Sequence, residues 1–190
     1  INASSDWKQS KSILKPSESA EGAVLVSTYE KLGQLKYNLD GTLESWTPAN
    51  GLAGSRVRVA EQFSNGDIYV GTTSGLSIIS PDGTITNITK NEEIQNDYIM
   101  CIHEDKDGFV WVGTDGGGIF VLKDKQVVKK ITKDDNLSGN VIFKIFEYNN
   151  LFWISTGTGI SRFDGNTFFN YDLSTGLGVD SVFQMLIDYT

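Results

Sequence analysis

Cysteine, histidine, basic runs and long apolar segments are all scarce in this chain of 190 residues. A single cysteine, Cys101, excludes an internal disulfide and any zinc site built on several cysteines. No Lys/Arg run exceeds two residues and the formal charge is −8, which argues against a protein that follows nucleic-acid phosphates. No apolar stretch approaches the roughly 18 residues of a membrane span. Only 3 prolines but 20 glycines are present, a balance that suits many tight turns between paired strands.

The chain repeats itself about every 42 residues. Three apolar segments end in Gly-Thr or Ser-Thr, with Thr72, Thr114 and Thr156 spaced by 42 and 42 residues. A fainter copy ends at Thr28, 44 residues before the first. Short strands repeating at this length are typical of the blades of a β-propeller. We therefore predict an all-β fold, a β-propeller of four-stranded antiparallel blades.

Each repeat has four recognisable strand positions. The first strand ends in an acid, at Glu61, Glu104 and Glu147, and an Asn-Gly, Asp-Gly or Asn-Asn turn follows it. The second strand carries Trp111 and Trp153 at one equivalent position, which predicts an aromatic wedge between neighbouring blades. The third strand opens at a glycine, which predicts a close backbone approach or a positive φ. These glycines are Gly33, Gly75, Gly118 and Gly159, and the fourth strand carries Trp46, Ile88, Ile131 and Tyr171.

The repeat also predicts the domain organisation. Residues 1–22 are poorly patterned, and residues 12–14 are a degenerate copy of the first strand. Blades follow at approximately 23–54, 55–97, 98–139 and 140–180, and a further blade starts at 181–190. We expect a partial propeller that associates with itself, since exposed blade faces need neighbours. The alternative is a closed ring of four blades, in which residues 182–188 pair with the blade holding residues 24–28.

Residues 102–119 show the repeat most fully, as Ile-His-Glu-Asp-Lys-Asp-Gly-Phe-Val-Trp-Val-Gly-Thr-Asp-Gly-Gly-Gly-Ile. This segment resembles the two-component regulator propeller repeat, and the resemblance extends over about residues 24–190. Ser27 and Ser155 depart from it, because they replace the usual glycine. Repeats of this kind build the extracytoplasmic sensor region of hybrid histidine kinases, especially in gut Bacteroidetes.

The resemblance implies a periplasmic, non-catalytic sensor region of a two-component system that responds to oligosaccharides and signals to a histidine kinase. The implied partners are an oligosaccharide ligand, the remainder of the same sensor kinase and a second copy in a homodimer. Contact with a membrane would come only through the parent protein. The resemblance implies no cofactor, and it transfers no binding residue, because the repeat marks structural positions.

The ligand-binding residues must therefore be predicted from the loops. In a four-stranded blade the loops joining strands two and three emerge on the same face as the links to the next blade, and loops on a rigid scaffold usually carry function. Sugar recognition needs aromatic platforms together with amide, carboxylate and guanidinium groups. The loop residues of these types are Arg56, Arg58, Tyr98, Asp115, Asn140 and Asp180, which we predict as ligand-binding.

Two weaker motifs bear on catalysis and metal binding. Residues 105–108, Asp-Lys-Asp-Gly, look like the opening of a calcium loop, but no Glu ligand follows at the required distance, so we predict a hairpin turn. His103 is the one histidine and has no nucleophile or metal cluster repeating beside it. We predict no catalytic residue and no metal site. The alternatives are a propeller enzyme resembling streptogramin lyases, which needs histidine and metal-binding carboxylates, and a protein-interaction scaffold.

Overall fold

Four four-stranded antiparallel sheets make up the computed structural model, which describes residues 17–18, 22–29, 33–89, 94, 96–179, 181–183 and 185. Blade 1 comprises β1 Ser17–Glu18, β2 Val24–Ser27, β3 Gln34–Tyr37 and β4 Leu43–Trp46, and blade 2 comprises β5 Val57–Gln62, β6 Ile68–Thr72, β7 Gly75–Ile79 and β8 Ile85–Ile88. Blade 3 comprises β9 Ile99–Glu104, β10 Val110–Thr114, β11 Ile119–Lys123 and β12 Gln126–Ile131, and blade 4 comprises β13 Ile142–Tyr148, β14 Leu151–Thr156, β15 Gly159–Phe163 and β16 Phe168–Tyr171. In every blade, strands adjacent in sequence are paired. The predicted fold class, β-propeller blades, is confirmed.

In the part of the chain that the structure describes, helix is confined to short 3-10 turns after the fourth strands of three blades, at Pro48–Asn50, Lys133–Asp135 and Leu173–Thr175. Within the described residues, no helix has the length and apolar character needed to cross a membrane. The chain divides into two compact units. Unit 1 contains residues 1–90 and 97–99, and unit 2 contains residues 91–96 and 100–190. Blades 1 and 2 thus belong to unit 1, and blades 3 and 4 belong to unit 2, apart from the first residue of β9.

The predicted hairpin turns are confirmed by their backbone geometry. Gly66 and Gly108 have φ values of 84° and 72°. Their N–H groups donate to the backbone carbonyls of Phe63 and Asp105, at 2.9 and 3.0 Å. Asn149 and Asn150, between β13 and β14, have φ values of 53° and 59°. Asparagine and glycine are the residues that adopt this left-handed region most readily, which is why the sequence identified the turns.

Asp105 organises its turn with its whole carboxylate group. Oδ1 accepts hydrogen bonds from the N–H groups of Asp107 and Phe109 at 3.0 and 2.8 Å. Oδ2 accepts one from the indole N–H of Trp111 at 2.9 Å. This arrangement satisfies both oxygens inside the protein, in agreement with the predicted turn.

The core of unit 2 forms where blades 3 and 4 pack together. Trp111 is 6% exposed, and its ring stacks on Phe152 with centroids 4.3 Å apart. The fully buried side chains of Ile142, Ile145 and Ile154 belong to the same cluster. Trp111 is therefore the predicted wedge between two blades. Trp153, its counterpart in blade 4, is only half-buried and stacks on Tyr171 at 6.2 Å.

The core of unit 1 lies between blades 1 and 2. Leu25 of blade 1 packs with Val57, Ala60 and Val70 of blade 2, and Trp46 covers this cluster from the outer strand β4. The two blades are also joined by their backbones, because the Val57 N–H donates to the Thr28 carbonyl at 3.0 Å. Side-chain burial and this hydrogen bond together fix β5 against β2.

The same backbone hydrogen bond recurs at the end of blade 4. The Val182 N–H donates to the Thr156 carbonyl at 3.2 Å, as Val57 does to Thr28. Val182 thus takes the position that the first strand of a following blade would take. Most of residues 182–188 lie outside the described residues, so their assignment as a strand stays a prediction. Residues 12–14 also lie outside them, and the described first strand of blade 1 is β1.

Strand register corrects one feature of the repeat. Gln62 pairs with Ile68, and Glu147 pairs with Phe152. Ile68 and Phe152 each lie four residues before the threonine that ends the second strand, so Gln62, and not Glu61, is the counterpart of Glu147. Alignment by residue type placed the first copy one residue out. The buried residues Ala60 and Ile145 carry the true register.

Candidate functional site

The structure brings three of the predicted ligand-binding residues together in unit 1. Arg58 lies in β5, Arg56 just before it, and Tyr98 just before β9. The Arg58 guanidinium carbon is 5.7 Å from the ring centroid of Tyr98 and 5.9 Å from that of Tyr29. Arg56 lies over the same Tyr29 ring at 5.6 Å. We call these four residues the Arg–Tyr cluster.

Tyr29 is the member of the cluster that sequence reasoning missed. It follows directly after Thr28, in the copy of the repeat with the weakest pattern. Its contacts with the arginines arise only because blade 1 packs beside blade 2, and no local pattern shows this. An aromatic residue one position after the strand-ending threonine was the available signal.

The two arginines of the cluster favour negative charge on nearby oxygen atoms, such as the hydroxyl oxygen of Tyr29 or an oxygen of a ligand. The pKa of Tyr29 is lowered, first because the Tyr98 hydroxyl donates a hydrogen bond to its oxygen, and then because Arg56 and Arg58 lie nearby. Tyr29 and Tyr98 are half-buried, whereas Arg56 is exposed. The cluster therefore presents two guanidinium groups and two aromatic rings, a set that can bind hydroxyl or acidic groups and pack against a sugar ring.

A backbone contact fixes the loop at this end of blade 2. The Thr73 N–H, in the link from β6 to β7, donates to the Arg56 carbonyl at 3.1 Å. The loop between strands two and three and the link entering the blade thus meet, as predicted. Arg56 is held at its backbone while its side chain remains exposed.

Asp115 and Asn140 belong to unit 2, where their roles differ. Asp115 is exposed, and its carbonyl accepts a hydrogen bond from the Asn96 side chain. Asn140 is half-buried, and its side-chain oxygen accepts from the Lys133 N–H at 2.9 Å. Asn140 therefore acts in holding the 3-10 turn before blade 4. Asp180, the last predicted residue, lies outside the described residues.

A repeated hydrogen-bond chain accounts for other polar residues of the loops. In blade 2 the Ser77 hydroxyl donates to Asn87 at 2.7 Å and accepts from the Ala53 N–H at 2.9 Å, and the Asn87 amide donates to the Gly51 carbonyl at 2.8 Å. The same three bonds join residues of blade 4, namely Ser161, Asn170, Ser138 and Asn136. These polar groups fasten the link between blades, so they are structural.

His103 packs beside an aromatic ring of unit 2. Burial is the main cause that lowers the pKa of its imidazole, which favours the neutral form. The ring meets the Phe152 ring edge-on at 6.2 Å. Among the described residues, no group of three or more His, Cys, Asp or Glu side chains is placed to hold a metal ion.

Comparison with known proteins yields one family match. The family described as "Two component regulator propeller" matches residues 93–116. This segment contains most of the copy on which the resemblance was based. No curated protein sequence matches the chain.

Solved structures with the same fold include extracellular domains of two-component systems and a lyase. The extracellular domain of a proposed hybrid two-component system from B. thetaiotaomicron is 23% identical, with a TM-score of 0.74 over 91% of this chain and 24% of that one. A second such domain from the same organism is 15% identical, with a TM-score of 0.72 over 87% and 25%. A catalytically inactive virginiamycin B lyase from Staphylococcus aureus, with quinupristin, is 18% identical, with a TM-score of 0.69 over 88% and 58%.

The chain spans about a quarter of the length of the two B. thetaiotaomicron domains. At these identities the structural similarities establish the fold. The similarity to the two-component regulator propeller family is therefore local, and it falls on the link into blade 3, its first hairpin and its second strand.

Proposed function

We propose that the chain is part of the extracytoplasmic ligand-sensing region of a two-component regulatory system and that it responds to oligosaccharides. The observation that carries the proposal is the Arg–Tyr cluster, which gathers guanidinium donors and aromatic rings at the loop end of the blades. The family match and the fold shared with extracellular domains of two-component systems support it. They also support a periplasmic location.

Sensing would operate through selective stabilisation. A ligand that binds one arrangement of the sensor more tightly shifts the population towards that arrangement, by as much as its affinities for the two differ. The kinase beyond the membrane would read this shift as a coupling between sites. The remainder of the sensor kinase and a second copy of the parent protein are the partners that this mechanism requires.

The proposal is tested by thermal unfolding of the chain with a panel of neutral and acidic oligosaccharides. A ligand at about 100 times its dissociation constant adds about 2.7 kcal/mol, equivalent to a Tm increase of roughly 5–10 °C for a chain of this size. We expect a selective increase in the parent chain and a much smaller one in Arg58→Ala, each measured against its own unliganded Tm.

Lys133→Ala is the matched control, because it removes one positive charge from an exposed position in unit 2. It should retain the full increase. No increase with any oligosaccharide would refute the proposal and favour the protein-interaction scaffold. Chemical conversion of a bound compound would favour the propeller enzyme, the alternative consistent with the fold shared with virginiamycin B lyase.

A further inference from the structure

A cavity of about 270 Å³ lies between blades 1 and 2, away from the Arg–Tyr cluster. Strands β3 and β4 supply Lys36, Glu44 and Trp46 from blade 1. Blade 2 supplies Gln62, Ile68 and Ile79, together with residues of its two hairpins. These hairpins join strands one to two and three to four, so the cavity opens at the opposite end of blade 2 from Thr73.

Sheet register explains how the two walls form. Lys36 and Glu44 are directly opposite each other on β3 and β4, and Trp46 is two residues further along β4, so it faces the same side. On blade 2, Gln62 pairs with Ile68, and Ile68 pairs with Ile79, so these three make one row across the sheet. One wall is therefore charged and aromatic, and the other combines an amide with two aliphatic side chains.

The charges on the cavity favour a neutral ligand. Lys36 is 9% exposed and lies across from the carboxylate of Glu44, so the two charges on this wall sum to zero. The Oε1 atom of Glu44 accepts a hydrogen bond from Asn38 at 2.9 Å, which holds that carboxylate in place. A ligand with a net charge would meet one like charge at short range, whereas a neutral polar ligand can use both groups.

Gln62 favours a ligand that donates a hydrogen bond. Its amide nitrogen donates to the Gly66 carbonyl at 3.1 Å, which fixes the orientation of the side chain. Its carbonyl oxygen is buried and has no hydrogen-bond partner among the described residues. A buried acceptor without a donor is unfavourable and uncommon. A hydroxyl group would satisfy it, whereas a carboxylate or sulfate oxygen could not.

The size and shape of the cavity limit the ligand further. At about 30 Å³ per water, 270 Å³ corresponds to about nine waters, which suits one small ring and not a chain of several sugars. Trp46 offers an aromatic surface, and Ile68 and Ile79 offer aliphatic ones, for the C–H face of such a ring. We propose that this cavity is a binding site for a single neutral sugar residue, independent of the oligosaccharide site proposed at the Arg–Tyr cluster.

The test follows backbone and side-chain amide signals of the ¹⁵N-labelled chain by NMR during titration with D-glucose, D-galactose, D-mannose and N-acetyl-D-glucosamine. D-glucuronate serves as the anionic comparator. We expect at least one neutral sugar to give saturable shifts at the Trp46 indole and the Gln62 amide, with a dissociation constant on the order of 1 mM. D-glucuronate should bind at least tenfold more weakly.

Gln62→Leu separates binding from folding. The leucine lacks the unpartnered oxygen and also the amide N–H that donates to Gly66, so resistance to urea should change little, while sugar affinity falls at least tenfold. Arg56→Ala, which lies in the other site, should leave affinity for the cavity unchanged. Shifts confined to the Arg–Tyr cluster would overturn the cavity proposal and leave the sensor proposal standing. Unchanged spectra with every sugar, or undiminished affinity in Gln62→Leu, would also overturn it.

Discussion

The residue before the strand-ending threonine is a glycine in blade 3 and a serine in blade 4, and the space around it differs between the two blades. A Cβ atom on Gly113 would lie 2.6 Å from the Cys101 sulfur and 2.6 Å from the Ile142 Cγ2. Both neighbours are buried, so they have little room to move. Gly113 is therefore needed for close packing of blade 4 on blade 3. At the counterpart position in blade 4, Ser155 is fully buried, and its hydroxyl has no hydrogen-bond partner among the described residues.

These two positions should respond to alanine in opposite ways. Gly113→Ala overpacks the contact with Cys101 and Ile142, and we expect a loss of about 1–3 kcal/mol in unfolding free energy. Ser155→Ala removes an unpaired buried hydroxyl without adding volume, and we expect no loss or a gain of up to about 1–3 kcal/mol. Urea denaturation of both variants provides the measurement. Equal effects of the two substitutions would contradict this account of the repeat.

Residue chemistry also decides how much of the candidate site could be predicted. The proximity of Arg56, Arg58 and Tyr98 was predictable, because the links between blades converge at one end together with the start of β5. Their role in ligand binding stays a prediction. Two features were not predictable. The side-chain oxygen of Asn140 accepts a hydrogen bond from the backbone N–H of Lys133, and Tyr29 belongs to the Arg–Tyr cluster. Both depend on partners in other loops, and sequence spacing does not determine such contacts. The cavity lined by Gln62 was not predicted either. The sequence alignment had placed Glu61, and not Gln62, opposite Ile68 at the end of the first strand.

At the scale of elements, the strands and turns follow their sequence patterns closely wherever turn chemistry is strong. One turn lacks that chemistry. Asp124 and Lys125 connect β11 to β12 as a two-residue turn, with Lys123 and Gln126 paired on either side. Their φ values are 50° and 65°, in the left-handed region that glycine and asparagine prefer. The sequence Asp-Lys contains no glycine, so the turn is formed against the local preference of Lys125.

Lys125→Gly should therefore stabilise the chain. Glycine adopts this backbone conformation without the cost that a Cβ atom adds, and the greater freedom of the unfolded chain offsets only part of the gain. We expect about 0.5–1 kcal/mol of added unfolding free energy, measured by urea denaturation. Asn150→Gly is the control, because asparagine at a φ of 59° already tolerates the turn, so its gain should be smaller. Destabilisation by Lys125→Gly would show that the lysine side chain outweighs the backbone term.

Across the whole molecule, the burial of a strand depends on its position within the blade. It differs less between corresponding strands of blades 2 and 3. Every residue of β6, β7 and β10 is buried, and four of five are buried in β11. The outer strands β4, β8 and β16 contain no fully buried residue, and β12 contains only Ile131. The sequence anticipates this order, because the second strands are nearly continuous apolar runs and the fourth strands alternate with charged and polar residues.

Hydrogen exchange should reproduce this order as a periodic profile along the chain. Amides in β6, β7, β10 and β11 should exchange slowest, since breaking their hydrogen bonds requires exposure of the most apolar surface. Amides of the outer strands should exchange faster, because each has a neighbour on one side and little buried side-chain area. The contrast between β3, with three of four residues buried, and β4 tests this within a single blade. Equal protection of β4 and β3 would mean that blades open as whole units, and stability would then belong to the blade and not to the strand.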